Sequence, residues 1–249
     1  MRVGLSIAAV CSVLGWSVHG TTNVGRVAKN RVATVNSSKV AGKEGAAVKG
    51  LAAAKTKTCC GYPLSAPLGF RMTFYWLAFE HPALGQARDD ELYTRNGQFY
   101  GAFSRRFVKE LRMEGTGILA NGRVVNWAGK CDYGVGACFE ELDVNKYPYG
   151  RGVGGRSLVP FRSIAVDPKV IPYGEPVYLP ELDGMVLPDG SIHDGCVRAD
   201  DKGGWIRRKH IDFFVVTKQN YEYLLNQLWG LSRVTPYIED ARCEYLRRR

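Results

Sequence analysis

The chain has 249 residues, enough for one large domain or two small ones with a buried core. Its 45% hydrophobic and 23% charged residues are the proportions of an ordinary globular protein. Of the formal net charge of +10, residues 21–58 hold +7, from eight basic residues against the single acid Glu44; the part beyond them is nearly neutral, which argues against a folded nucleic-acid-binding surface.

The N-terminus opens on Arg2 and an apolar run from Val3 to Trp16, broken only by Gly4, Ser6, Ser12 and Gly15. The run is short for a bilayer span, and Val18-His19-Gly20 places small or medium residues before Thr21. It reads as a secretory signal peptide over residues 1–20, with a retained membrane anchor as the alternative. Val10 before Cys11 argues against a lipoprotein site. Residues 21–58 lack aromatic residues and core periodicity, so they read as a basic disordered linker. In an envelope such an arm either touches an anionic polymer or lipid, or serves as a solvated spacer.

Removing Cys11 with the signal leaves Cys59, Cys60, Cys131, Cys138, Cys196 and Cys243, an even count that suits up to three disulfides in an oxidising compartment. Cys131 and Cys138 bracket a Gly-rich loop and form the expected local pair. Adjacent Cys59 and Cys60 are expected to tie the start of the domain to distant segments. Neither CxxC nor HExxH spacing occurs, so no metal or other cofactor is implied.

The folded region, residues 59–249, begins with an aromatic strand over Arg71 to Ala78. Phe99, Phe103, Phe107 and Leu111 recur every four residues and predict a helix over 98–111. Thr116 to Ala128 reads as a hairpin turning at Ala120-Asn121-Gly122, followed by Gly-rich loops over 129–157. Strands are predicted near 161–167, 175–180, 192–199 and 211–217, then a short helix over 220–228. Many short strands joined by Pro/Gly turns predict a compact, mainly β barrel with a few short helices.

The densest chemistry lies in Asp201-Lys-Gly-Gly-Trp-Ile-Arg-Arg-Lys-His-Ile-Asp212, followed by Phe-Phe-Val-Val. Strand alternation puts Ile211, Phe213 and Val215 on one face and Asp212, Phe214 and Val216 on the other. A carboxylate among apolar neighbours loses hydration, so its pKa rises toward working pH, as a general acid on a glycosidic oxygen requires. The alternative is an aspartate that hydrogen-bonds its own loop. Upstream, Ser163-Ile-Ala-Val-Asp167-Pro-Lys-Val-Ile-Pro-Tyr-Gly174-Glu-Pro-Val-Tyr-Leu ends a strand at Asp167, where Pro168 enforces extended backbone.

These two spaced motifs together resemble the 3D (three-aspartate) domain found in membrane-bound lytic transglycosylase A and related bacterial cell-wall enzymes. The resemblance is clear over about 161–217 and weaker back to Phe70. It implies a six-stranded double-psi β-barrel with Asp167, Asp201 and Asp212 gathered in one groove, and Asp212 as the catalytic acid oriented by the other two. The implied reaction is lytic cleavage of the β-1,4 bond between N-acetylmuramic acid and N-acetylglucosamine, closing a 1,6-anhydro ring without water. The implied protein is a monomer in the bacterial periplasm, cell envelope or exterior that acts on peptidoglycan strands. An inverting glycosidase or a non-cleaving, expansin-like wall-binding module are the alternatives.

Glu114, Gly203, Gly204, Trp205, Arg207 and Tyr75 are candidate substrate contacts. The glycines permit a tight turn and close approach to a ligand, and the aromatics could stack on sugar. Core packing is the competing role for Tyr75 or Trp76, and an exposed charge before a turn for Glu114. Arg207 stands where the family typically has lysine, Arg208 where glycine is usual, and Lys202 where a small hydroxyl residue is usual. His193-Asp194 resembles half a triad but lacks a nucleophile elbow.

Overall fold

The computed structural model describes residues 61–83, 85–131, 137–228 and 230–248. The expected signal peptide over residues 1–20, the expected basic linker over 21–58, and Cys59 and Cys60 lie outside the described residues.

In chain order the strands are β1 (Tyr62–Pro63), β2 (Phe70–Tyr75), β3 (Ala78–Phe79), β4 (Asp90–Tyr93) and β5 (Phe99–Phe103), followed by helix α1 (Arg105–Glu114). Then come β6 (Thr116–Ile118), β7 (Val124–Lys130), β8 (Ala137–Leu142), β9 (Ser163–Ala165), β10 (Pro176–Val186), β11 (Ile192–Asp201) and β12 (His210–Phe214). Helix α2 (Lys218–Leu228), β13 (Arg233–Val234), β14 (Tyr237–Ile238) and a 3-10 helix (Ala241–Arg248) complete the chain, which is therefore mainly β with short helices.

The large sheet runs β1-β14-β10-β11-β9-β12-β2-β13. It is mixed: β9 lies parallel to β11, and β2 parallel to β12, while the other neighbours are antiparallel. One face buries Phe70, Met72, Ile164, Val177, Leu179, Val197, Ala199, Ile211 and Phe213 in the main core. Tyr75, Ala165 and Phe214 point to the opposite face and pack with Leu77, Leu158 and Ile206. The alternation expected for Ile211 to Val216 is met, because Phe214 and Val216 join this second cluster while Ile211, Phe213 and Val215 join the first.

A four-stranded sheet, β3-β6-β7-β8, packs under α1 around Phe107, Leu111, Val125 and Phe139. The hairpin predicted over 116–128 is β6 and β7. Two expectations are corrected here. The predicted helix over 98–111 begins only at Arg105, since Phe99 and Phe103 belong to β5, paired with β4. Ser104 is the N-cap, its side chain accepting the Phe107 N–H at 3.4 Å, and Gly115 closes the helix in the left-handed conformation. The four-residue spacing crossed a strand–helix junction: Phe103, Phe107 and Leu111 are buried, but Phe99 is exposed. The second correction is β8, which lies inside the predicted 129–157 loop region. Cys138 and Phe139 are both buried, and this breaks the period-two signal.

The expected Cys131–Cys138 disulfide is formed, and a second links Cys196 to Cys243, pinning the C-terminal 3-10 helix to β11. These two bonds use every cysteine from 61 to 248.

Candidate active site

Strand β2 organises the site. Arg71, Thr73 and Tyr75 share one face, and parallel pairing sets Thr73 beside Asp212 and Tyr75 beside Phe214. Thr73 Oγ1 donates to Asp212 Oδ1 at 2.7 Å and lies 2.8 Å from His210 Nε2. Burial pushes Asp212 up to about 6, against the opposing effects of the Thr73 hydrogen bond and the Arg71 charge.

Ala165 on β9 is the register partner of both Asp212 and Asp201. The two carboxylates therefore flank a single methyl group on the same sheet face. A bulge creates this arrangement. Ala199 pairs with Ile164 and Asp201 with Ala165, which leaves Asp200 as the extra residue. Without it, Asp201 would share the face of Ala199 and point into the main core.

Asp201 is likewise pushed up to about 6, first by burial and then by the charges of Asp200 and Asp212. The Lys202 N–H at 2.8 Å and the Tyr75 hydroxyl at 3.2 Å oppose that rise. Tyr75 itself is held well above its ordinary value by burial and by Asp201 and Asp212. Glu114, at the C-terminal end of α1, accepts the Trp76 N–H at 3.3 Å. Burial raises it to about 7, and the Asp212 and Glu110 charges act in the same direction. The negative end of the helix dipole disfavours its ionised form too. Thr73, Tyr75 and the Trp76 backbone thus each engage a different acid.

Asp167 is held differently from these acids. Its Oδ2 accepts the Arg208 N–H at 2.7 Å and its Oδ1 the Lys169 N–H at 3.0 Å, which hold it below the ordinary carboxylate range. It clamps the loop between Asp201 and Asp212 by its far end. Arg208 adopts φ of 57°, so the arginine accepts the left-handed backbone that suits glycine. Arg207 folds back on the loop, donating to the Gly203 and Ile206 carbonyls at 2.9 and 2.8 Å. A Cβ on Gly203 would collide with the Ile206 side chain, whereas one on Gly204 would meet open space. Trp205 is 93% exposed and covers no part of the core.

Trp76 is a packing residue, stacked on Tyr221 with its Nε1 donating to Glu110 at 3.3 Å. The half-triad is absent as chemistry. His193 is fully buried, its Nδ1 accepts the Gly195 N–H at 2.9 Å, and its Nε2 lies 2.7 Å from the Phe161 carbonyl. Asp194 pairs with Arg162 and accepts the Tyr245 hydroxyl at 2.8 Å. Sequence reasoning missed Thr73, His210 and Ala165, whose place depends on register between strands far apart in the chain.

Residues 162–238 match the family model of the 3D domain, so this chain carries a 3D domain. No curated protein sequence matches the chain. Among solved structures it is similar to Escherichia coli MltA with bound chitohexaose, at 13% identity and a TM-score of 0.47, covering 68% of this chain and 70% of that one. It is also similar to a membrane-bound lytic murein transglycosylase from Agrobacterium tumefaciens, at 14% identity and a TM-score of 0.45, covering 70% and 74%. The lytic transglycosylase LtgG of Burkholderia pseudomallei is similar at 16% identity and a TM-score of 0.33, covering 70% and 65%.

Proposed function

We propose that this protein is an exported peptidoglycan lytic transglycosylase that works through Asp212. The observation that carries the reading is a half-buried acid on a 3D-domain strand, hydrogen-bonded to Thr73 and, among the described residues, with no cation in hydrogen-bond contact. Protonated Asp212 gives its proton to the glycosidic oxygen as the C1–O bond breaks. The carboxylate then takes the proton of the C6 hydroxyl, whose oxygen closes on C1, so the acid is regenerated and no water is consumed. Asp201 and Tyr75 supply charge and a hydroxyl beside the reacting bond, and Glu114 helps keep Asp212 protonated when it is itself ionised. Asp167 acts at one remove, by clamping the Gly203–Trp205 turn. That turn offers Gly204 for close approach, Trp205 for sugar stacking and Arg207 as its tie.

The same reading assigns the six neighbouring strands β10-β11-β9-β12-β2-β13 to a double-psi barrel. Support comes from Thr235 Oγ1, just beyond β13, which donates to Glu181 of β10 at 2.7 Å, and from Val234 and Leu182, which share the main core. Export would follow from residues 1–20, with residues 21–58 as the envelope arm of a monomer. Among the described residues no helix is long and apolar enough to cross a membrane.

A second reading has one observation in its favour. Asp201 and Asp212 lie on strands two places apart and share Ala165 as register partner, which in an ideal sheet puts their backbones on the order of 9.6 Å apart. An inverting hydrolase needs an acid and a base roughly 6.5–9.5 Å apart. Incubating the protein with peptidoglycan and weighing the soluble muropeptides decides between the two. Products lighter by one water than hydrolytic ones, absent with Asp212→Asn, are expected. Reducing-end products would establish hydrolysis, and binding without release would establish a wall-binding module.

A further inference from the structure

The face that holds Asp212 carries a second row of side chains. Antiparallel pairing sets Arg233 on β13 directly opposite Arg71 on β2, and parallel pairing sets Arg71 beside His210 on β12. This row, Arg233–Arg71–His210, lies two residues back along the strands from the row Thr73–Asp212–Ala165–Asp201. The separation is about 6.7 Å. Arg71 and Arg233 are exposed, while their strand neighbours Met72 and Val234 are buried.

Like charges directly opposite one another on a sheet repel. Neither arginine forms an ion pair among the described residues; Arg233 reaches only the Leu68 carbonyl, at 3.4 Å. The arginines elsewhere on this sheet are treated differently: Arg198 is paired with Asp200, and Arg162 with Asp194. Two arginines paired across neighbouring strands with no acid between them suit a planar carboxylate, which each can grip through paired N–H donors.

We infer that Arg71 and Arg233 form a subsite for a carboxylate borne by the glycan itself, one step along this sheet face from the bond at Asp212. This deepens the proposed reading and rests on it for the position of the glycan. The two arginines thereby select acidic over neutral strands of the same backbone.

The test measures binding in Asp212→Asn protein, so that neither turnover nor the effect of Arg71 on Asp212 enters. The probes are peptide-free peptidoglycan strands, whose muramic residues carry lactyl carboxylates, and chitohexaose, which is uncharged. Calorimetry is expected to give at least about tenfold tighter binding to the acidic strands at low salt, shrinking as salt rises. Adding Arg71→Gln and Arg233→Gln should weaken the acidic strands by about tenfold or more and chitohexaose by less than about twofold. The Arg71→Lys and Arg233→Lys pair should retain part of the preference, which separates loss of charge from loss of fold. Equal weakening of both probes, no weakening of either, or tighter binding of polyglycerol phosphate than of the strands would overturn the subsite. Failure of the enzymatic reading is seen separately, as wild-type protein that releases no muropeptide while this charge preference persists.

Discussion

Replacing Asp212 by Asn should stabilise the protein, and only above about pH 4. The carboxyl of Asp212 is raised from 3.8 to about 6 by burial. Each tenfold of that difference is worth about 1.4 kcal/mol, so ionising Asp212 in the folded protein costs up to about 3 kcal/mol. Solvent screening at this partly exposed carboxyl leaves about 1–3 kcal/mol. The sign follows from proton counting. Between about pH 4 and 6 the folded chain holds a proton that the unfolded chain has lost, so wild-type stability falls as pH rises through that window. The amide of the Asp212→Asn protein carries no such proton, and its oxygen can still accept from Thr73. The two proteins should therefore match at pH 4, with the variant ahead by about 1–3 kcal/mol at pH 8, or several degrees in Tm.

Urea unfolding at pH 4, 6 and 8 measures this difference. Asp200→Asn is the contrasting control. Asp200 is buried against Arg198 at 2.6 Å and accepts the Ser163 hydroxyl at 2.7 Å, so its loss strands a buried cation and should cost about 3–5 kcal/mol. An Asp212→Asn protein that is less stable than wild type at pH 8, or that differs from it equally at pH 4 and pH 8, would refute the account of Asp212 as a desolvated, functionally retained acid.

Thr73→Val removes the donor that favours the Asp212 carboxylate, so the basic limb of the pH–rate profile should move upward and activity near neutrality should change by up to about tenfold; a full pH profile of muropeptide release checks the direction. Ala165→Leu fills the gap between Asp201 and Asp212 and should lower turnover by at least about tenfold, with an overpacking cost of about 1–3 kcal/mol read from the urea midpoint. Arg208→Gly relieves a left-handed residue while keeping the N–H to Asp167, so unfolding experiments should show about 0.5–1 kcal/mol of added stability with activity unchanged.

What the sequence made legible was set by short-range rules. The face of Asp212 follows from strand parity, the β6–β7 hairpin from its Asn-Gly turn, and the Cys131–Cys138 bond from proximity along the chain. The start of α1 was legible in principle, since Ser104 is an N-cap, but the aromatic spacing pointed upstream of it. Pairing between distant segments was not legible. Thr73 reaches Asp212 only because β2 lies parallel to β12, and Cys196 meets Cys243 only because the C-terminal 3-10 helix packs on β11. Nor were the partners of Asp167 legible: its carboxylate accepts the Lys169 and Arg208 N–H groups, and Arg208 lies 41 residues further along the chain.

The contrast between Asp200 and Asp201 accounts for the division of labour among the acids. Both stem from one bulge on β11, and both face away from the main core. Asp200 has Arg198 and Ser163 as partners and helps fasten the C-terminal helix, since Arg198 also donates to the Leu246 carbonyl at 2.7 Å. Asp201 receives only a backbone N–H and a phenol, which are too weak to offset its desolvation, so burial pushes it up to about 6. The same division recurs elsewhere: Asp240 is held by Arg242 at 2.8 Å, whereas Asp212 and Glu114 have a hydroxyl and a backbone N–H. Acids given a cation hold the fold together. Asp201, Asp212 and Glu114 have none and are raised by burial, so on the proposed reading a cation engineered beside Asp201 or Asp212 should strengthen the fold and weaken the chemistry.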